Sequence, residues 1–218
     1  MAATQQDAER LASELAAAMP RLNERSQGLA ITLYRLLAQR RPVTRGRLAA
    51  GAGVAGDDVR EFLEGQPGVY YDGEGRVVGF SGLTLTGMPH VMRLDGQRVH
   101  AWCAWDTLFL PELIGMTAAV ESPCPTTGQT VTLIVDADGV RNVSPSRAVL
   151  SFLRPEKSFD TDPIKSFCHF VHFFADEDAA RVWTANYPGT FVLAIEDGFE
   201  IGKRVNRAVF GAAFEAEE

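Results

Sequence analysis

Apolar positions recur at helical spacing through the first third of the chain and then give way to short runs broken by turns. Leu11, Leu15 and Met19 share one face and predict an amphipathic helix over residues 8–19, closed by Pro20. Leu29, Ile31, Leu33, Leu36 and Leu37 predict a second helix over 27–39, ended by Arg40-Arg41-Pro42. Thr44 suits the N-cap of a short helix running to Ala50. After Gly51-Ala52-Gly53, Gly56-Asp57-Asp58 opens a fourth helix whose inner face holds Val59, Phe62 and Leu63. Two apolar runs, 68–71 and 76–80, flank Asp72-Gly73-Glu74-Gly75, a hairpin signal. Helices followed by a two-stranded wing predict a helical, winged-helix-like domain over 1–82.

Residues 81–89 are rich in Gly and Thr and form the expected boundary. Beyond it, over 83–218, the pattern turns to strands. Runs 90–94 and 97–102, joined by Asp95-Gly96, predict a hairpin that delivers the chain to Cys103. Residues 103–114 are apolar enough for a short buried helix, limited or bent by Pro111. Strands are expected at 117–122, 130–135, 148–153, 169–174 and 190–195, with turns at 123–128 and 136–139. A helical turn is expected over 162–168, and helices over 176–185 and 202–214. No internal repeat is visible. The expected fold class is α+β: a winged-helix-like helical domain, then a mixed or antiparallel-sheet core with flanking helices.

Composition narrows the function classes. The 218 residues are 46% hydrophobic and 22% charged, enough for one large domain or two small ones. The net charge of −7 disfavours a nucleic-acid partner. The fourth helix agrees, setting Asp57, Asp58, Glu61 and Glu64 against Arg60, although Arg40, Arg41, Arg45 and Arg47 precede it. No apolar run approaches the ~20 residues of a membrane span. Asp7, Glu9 and Glu14 interrupt the first twenty residues, which lack a signal-peptide centre, so a cytoplasmic location is expected. Three cysteines, Cys103, Cys124 and Cys168, do not make a disulfide framework.

Candidate chemistry centres on Cys103 and Asp106. Positions i and i+3 share a helix face, so thiol and carboxyl could meet one ligand. With a strand ending at Trp102, Cys103 would open a helix whose N-terminus favours the thiolate. Trp105, Leu108 and Phe109 surround Asp106 with apolar groups, which raise a carboxyl pKa and make it a proton donor near neutral pH. A buried packing thiol and a helix-capping carboxylate are the plainer alternatives. Cys168 is followed by His169 and His172, but their spacing fits no common zinc signature, and a strand would turn them to opposite faces. Packing roles are expected for both histidines and for Cys124, which lies between two prolines. The chain has no phosphate loop, dinucleotide fingerprint or Gly-x-Ser-x-Gly elbow.

The stretch Trp102-Cys103-Ala104-Trp105-Asp106-Thr107-Leu108-Phe109-Leu110-Pro111-Glu112-Leu113-Ile114-Gly115 resembles the active-site segment of bacterial organomercurial lyases, the alkylmercury lyases. Ser166-Phe167-Cys168 and Val171-His172-Phe173-Phe174-Ala175 resemble a second segment of that family, and Cys124 with Thr127-Gly128 a third. The likeness runs from about Val91 to the C-terminus and is looser before it. It implies that Cys103 and Cys168 bind mercury and that Asp106 is the catalytic acid. The implied reaction is protonolysis of the carbon–mercury bond of alkyl- and arylmercury compounds, releasing a hydrocarbon and Hg(II), in mercury detoxification. Mercury would be substrate and product, with no cofactor. Low-molecular-weight thiols would sustain turnover, and Hg(II) would pass to a mercuric reductase, with no nucleic-acid or membrane partner. Two departures stand out: His169 and Phe170 replace a cysteine and a histidine, and Trp105 replaces a smaller aliphatic residue, which would narrow the pocket or shift selectivity. The alternatives are a non-catalytic thiol-based mercury or soft-metal binding protein and a metal-responsive regulator.

Overall fold

In the computed structural model, which describes residues 5–155, 158–159 and 162–215, four helices come first: α1 (Gln5–Ala18), α2 (Glu24–Ala38), α3 (Arg45–Ala52) and α4 (Gly56–Gly65). Local chemistry sets their ends. The Asn23 side chain accepts the Ser26 N–H ahead of α2, and Thr44 accepts the Arg47 N–H ahead of α3. Val59, Phe62 and Leu63 form the buried face of α4, as their spacing predicts.

Eight strands then build one antiparallel sheet: β1 (Val69–Tyr71), β2 (Val77–Phe80), β3 (Leu83–Thr84), β4 (His90–Leu94), β5 (Gln97–Ala101), β6 (Ala118–Pro123), β7 (Thr130–Asp136) and β8 (Gly139–Ser144). Their order is β1-β2-β3-β5-β4-β6-β7-β8. Asp95 and Gly96, at φ 45° and 75°, make the tight β4–β5 turn. Two strands were not expected. β3 is only two residues long and lies inside the stretch read as a connector. β8 is an edge strand whose residues are exposed or half-buried, so it carries no apolar alternation. Because β3 pairs with both β2 and β5, the wing hairpin continues the same sheet as the strands after it.

A second sheet has the order β10-β9-β11, from β9 (Val149–Leu153), β10 (Phe173–Phe174) and β11 (Thr190–Ala194). Residues 169–174 were expected as one strand, but only Phe173 and Phe174 pair. Cys168–Phe170 instead form a 3-10 turn after α6 (Pro163–Ser166). The cause lies on β9: buried Ser151 donates its hydroxyl to Phe170 O at 2.7 Å and accepts the His172 N–H at 3.0 Å. The Ser151 N–H still bonds His172 O at 2.9 Å, but the side chain takes the His172 N–H that a continued ladder would give to the Ser151 carbonyl. α7 (Glu177–Thr184) follows.

The last helix, α8 (Ile195–Glu215), begins directly after β11, well before the expected residue 202. Gly198 and Gly202 both serve close packing. A Cβ at Gly198 would lie 2.6 Å from Leu150 Cδ2, and one at Gly202 would lie 2.8 Å from Phe109 Cβ. The absent side chains let α8 lie against β9 and α5 (Asp106–Ile114). α5 is buried on nearly every face, as a helix apolar all round must be. Pro111 lies within it, and Gly115 at φ 76° ends it, its N–H bonding Pro111 O and Glu112 O. The architecture is α+β, as expected. Among the described residues no helix is long and apolar enough to cross a membrane.

Candidate active site

Leaving β5, the Trp102 N–H bonds Gly82 O at 2.8 Å, which fixes where the chain turns. Cys103 lies in that turn and not in the first turn of a helix, since α5 starts at Asp106. The Thr107 hydroxyl and N–H both bond Ala104 O, at 2.7 and 3.2 Å, and tighten the entry into the helix. Asp106 Oδ2 reaches back to accept the Cys103 N–H at 2.8 Å. This is the reach of the acid in a capping box, three residues back to the N–H that starts the turn. The spacing of thiol and carboxyl therefore brings them together through a hydrogen bond. It does not do so through a shared helical face.

The Ala104 N–H bonds Val171 O at 3.1 Å and docks this turn against the segment carrying Cys168. One ligand atom each from Cys103, Asp106 and Cys168 then lies within 4.8 Å of the others, and all three residues are buried. Among the described residues this is the one group of Cys, His and acid side chains able to hold a metal ion. Cys124 stands apart in a small cluster with Phe174, Ala175, Ala179 and Ala180. His172 packs against His90 and Trp183, with its Nε2 2.8 Å from His169 O, in line with a packing role.

The electrostatics reverse one expectation. Burial pushes the Cys103 thiol well above its usual range, helped by its hydrogen bond to Cys168 and by the Asp106 charge. The thiolate-favouring helix terminus is absent, because Cys103 precedes the helix by three residues. For Cys168, the hydrogen bond from Cys103 pulls downward, but burial and the Asp106 charge outweigh it and the thiol is raised. Asp106 is raised to about 6 by burial, against the pull of the Cys103 thiol and N–H. At neutral pH the site therefore holds two thiols beside one carboxylate, which is poised to take up a proton.

Gly82 packs against Asp106, and Ser81 and Tyr34 support the turn that carries it; nothing local in the sequence marks these three residues. Gly82, at φ 102°, lies so close that a Cβ there would come within 2.7 Å of Asp106 Oδ1. Ser81 sits beside it at φ 32°. From α2, the Tyr34 hydroxyl donates to Ser81 O at 2.9 Å, and burial together with the Asp106 charge keeps that phenol protonated. The Gly-rich composition of 81–89 is the only trace of this arrangement in the sequence.

An apolar cavity of about 70 Å³ opens onto Asp106 and Cys168, walled by Tyr34, Phe80, Trp102, Trp105, Phe109 and Phe167. Cys103 lies deeper, with no exposed surface. Trp105 is held edge-on to Phe152 and tilted against Phe109, and its Nε1 donates to Gly198 O at 3.0 Å. Its ring thus forms part of the cavity wall beside the α8 residues Val205, Asn206, Val209 and Phe210.

Two family models match the chain: "Alkylmercury lyase" over residues 83–207 and "Helix-turn-helix domain of alkylmercury lyase" over residues 8–81. A protein of Pseudomonas putida named alkylmercury lyase is 42% identical over 174 residues, 80% of this chain and 81% of that protein. Proteins of the same name from Staphylococcus epidermidis and Streptomyces lividans are 42% and 41% identical, covering 79% and 81% of both partners respectively. The crystal structure of the mercury-bound form of MerB2 covers 94% of this chain and 100% of its own, with a TM-score of 0.74. At 18% identity that last likeness shows a common fold alone.

Proposed function

The chain belongs to the alkylmercury lyase family and is an enzyme, and from that premise we propose that Cys103, Asp106 and Cys168 cleave the carbon–mercury bond of alkyl- and arylmercury compounds by protonolysis. The observation that carries the proposal is one buried site in which two thiols and a carboxyl of raised pKa lie within 4.8 Å of one another.

The chemistry follows from the donor set. Mercury(II) is soft and prefers sulfur. An R–Hg–X substrate, with X a thiolate or halide, brings its organic group into the apolar cavity and its metal to the sulfurs. Each cysteine forms an Hg–S bond and gives up a proton. One proton goes to the Asp106 carboxylate, and the other leaves with X as HX. Two thiolates on mercury push electron density toward carbon. Asp106 returns its proton to that carbon, and the pair of the C–Hg bond becomes the new C–H bond. The hydrocarbon departs and mercury stays Hg(II), held by Cys103, Cys168 and an Asp106 oxygen. A positioned general acid of this kind contributes on the order of 10²–10⁴-fold. The carboxyl suits both halves of the task because its pKa of about 6 lies near neutrality. Low-molecular-weight thiols then remove the ion, which passes to a mercuric reductase in detoxification.

Incubation with phenylmercury and excess thiol tests the proposal. Benzene should form in proportion to phenylmercury consumed. Wild-type protein that binds phenylmercury and releases no benzene would overturn it.

A further inference from the structure

Cys168 faces two cavities. Besides the apolar one, a cleft of about 370 Å³ is lined by Met88, His90, Lys165, His169 and His172. Only Trp102 and Cys168 line both, so these two side chains form the partition between them. The two spaces differ in chemistry. The first is walled by aromatic rings and Asp106. The second offers three imidazoles and an ammonium group, and among the described residues no carboxylate lines it. His90 is buried, with its Nδ1 2.8 Å from Ser122 Oγ and its ring stacked on His172. Its Nε2 is buried with no hydrogen-bond partner among the described residues. The Lys165 side chain stands at the rim, 86% exposed, in a surface pair with Asp162 at 2.9 Å.

We propose that this cleft is the docking site of the low-molecular-weight thiol that lifts Hg(II) from Cys168, and that it favours a thiol carrying a carboxylate, which Lys165 meets. The proposal rests on the lyase function proposed above. The step balances as a ligand exchange. The incoming sulfur forms an Hg–S bond, the bond from mercury to Cys168 breaks, and the incoming thiol's proton passes to Cys168. Mercury remains Hg(II), and no electrons change hands. A second thiol repeats the exchange at Cys103. Organic group and thiol then approach the metal through separate openings and do not compete for one entrance.

The test separates the first turnover from later ones. Benzene is measured after one equivalent of phenylmercury without added thiol. Multi-turnover rates are then followed against mercaptoacetate and against neutral 2-mercaptoethanol. Lys165→Glu should leave first-turnover benzene at the wild-type level. It should raise the half-saturating mercaptoacetate concentration about five-fold or more, as a reversed charge at contact distance in water implies, and leave 2-mercaptoethanol nearly unmoved. Lys165→Gln should give the same pattern at smaller size, and it decides the matter if the charge reversal disturbs folding. Parallel shifts for both thiols, or none, would overturn the thiol site. Absence of first-turnover benzene in the wild type would instead overturn the lyase function.

Discussion

Cys103 and Cys124 are both fully buried thiols, yet their surroundings drive them in opposite directions. Around Cys124, burial pushes the pKa up, but hydrogen bonds from the Thr127 hydroxyl and from the backbone N–H groups of Ala175, Thr127 and Thr126 outweigh it, and the thiol falls below its usual range. Around Cys103, burial is joined by a neighbouring sulfur and the Asp106 charge, and the thiol rises. By pKa alone Cys124 would be the reactive cysteine. The comparison teaches that thiolate character does not locate this chemistry. In the proposed reaction a soft metal displaces the proton from a raised thiol because a carboxylate stands ready to receive it, and of these two thiols Cys103 has one beside it.

The largest effects should come from breaking the trio. Cys103→Ser and Cys168→Ser each remove a soft ligand, and benzene release from phenylmercury should fall at least ~10²-fold in either, the scale of a lost catalytic contribution. A Cys124→Ser variant with an equal loss per folded molecule would erase the distinction between the two thiol environments.

Gly82→Ala should come next. The position combines φ 102° with a Cβ site 2.7 Å from Asp106 Oδ1, so alanine must displace the carboxyl or the turn. A stability loss of about 1–3 kcal/mol in denaturant melts is expected, with reduced turnover beside it. Wild-type activity and stability would show that Asp106 is not held from this side.

The pH dependence should sharpen the contrast. Asp106 is raised from 3.8 to about 6 in the folded protein. The folded state therefore binds its proton more tightly than the unfolded chain does. Ionising this carboxyl costs stability above pH 6, and the cost disappears as pH falls toward 4. Roughly 3 kcal/mol corresponds to a shift of this size. Asp106→Asn should accordingly be more stable than wild type at pH 8, with the difference shrinking toward pH 4. In the wild type, kcat/KM should drop below about pH 6, where the carboxylate that receives the thiol proton is lost. The smallest effect is expected for Cys124→Ser: about 1 kcal/mol of stability, with activity per folded molecule unchanged.

Much of the fold was legible because it is local. The four-residue spacing of Leu11 and Leu15, the Thr44 cap and the Asp95-Gly96 turn each act within a few residues. What escaped was set from a distance. β3 has two residues and no pattern, and it forms because β2 and β5 lie on either side of it. The last helix was expected only from residue 202, and the packing of Gly198 and Gly202 against Leu150 and Phe109, which are remote in sequence, leaves no local mark. The strand expected over 169–174 was lost to the Ser151 hydroxyl. The candidate site divides in the same way. Cys103 and Asp106 announced themselves by spacing, although the contact that joins them is a capping hydrogen bond. Cys168 entered through family resemblance, and Gly82 and Tyr34 were visible only once β3 and α2 were folded against the turn.

In the proposed reaction Asp106 delivers the proton while the sulfurs hold the metal. This assignment is tested most directly by giving Asp106→Asn one equivalent of phenylmercury and measuring bound mercury and released benzene on the same sample. Mercury should bind one to one, as in the wild type, with benzene release slowed at least ~10²-fold. Benzene released at the wild-type rate would contradict the assignment.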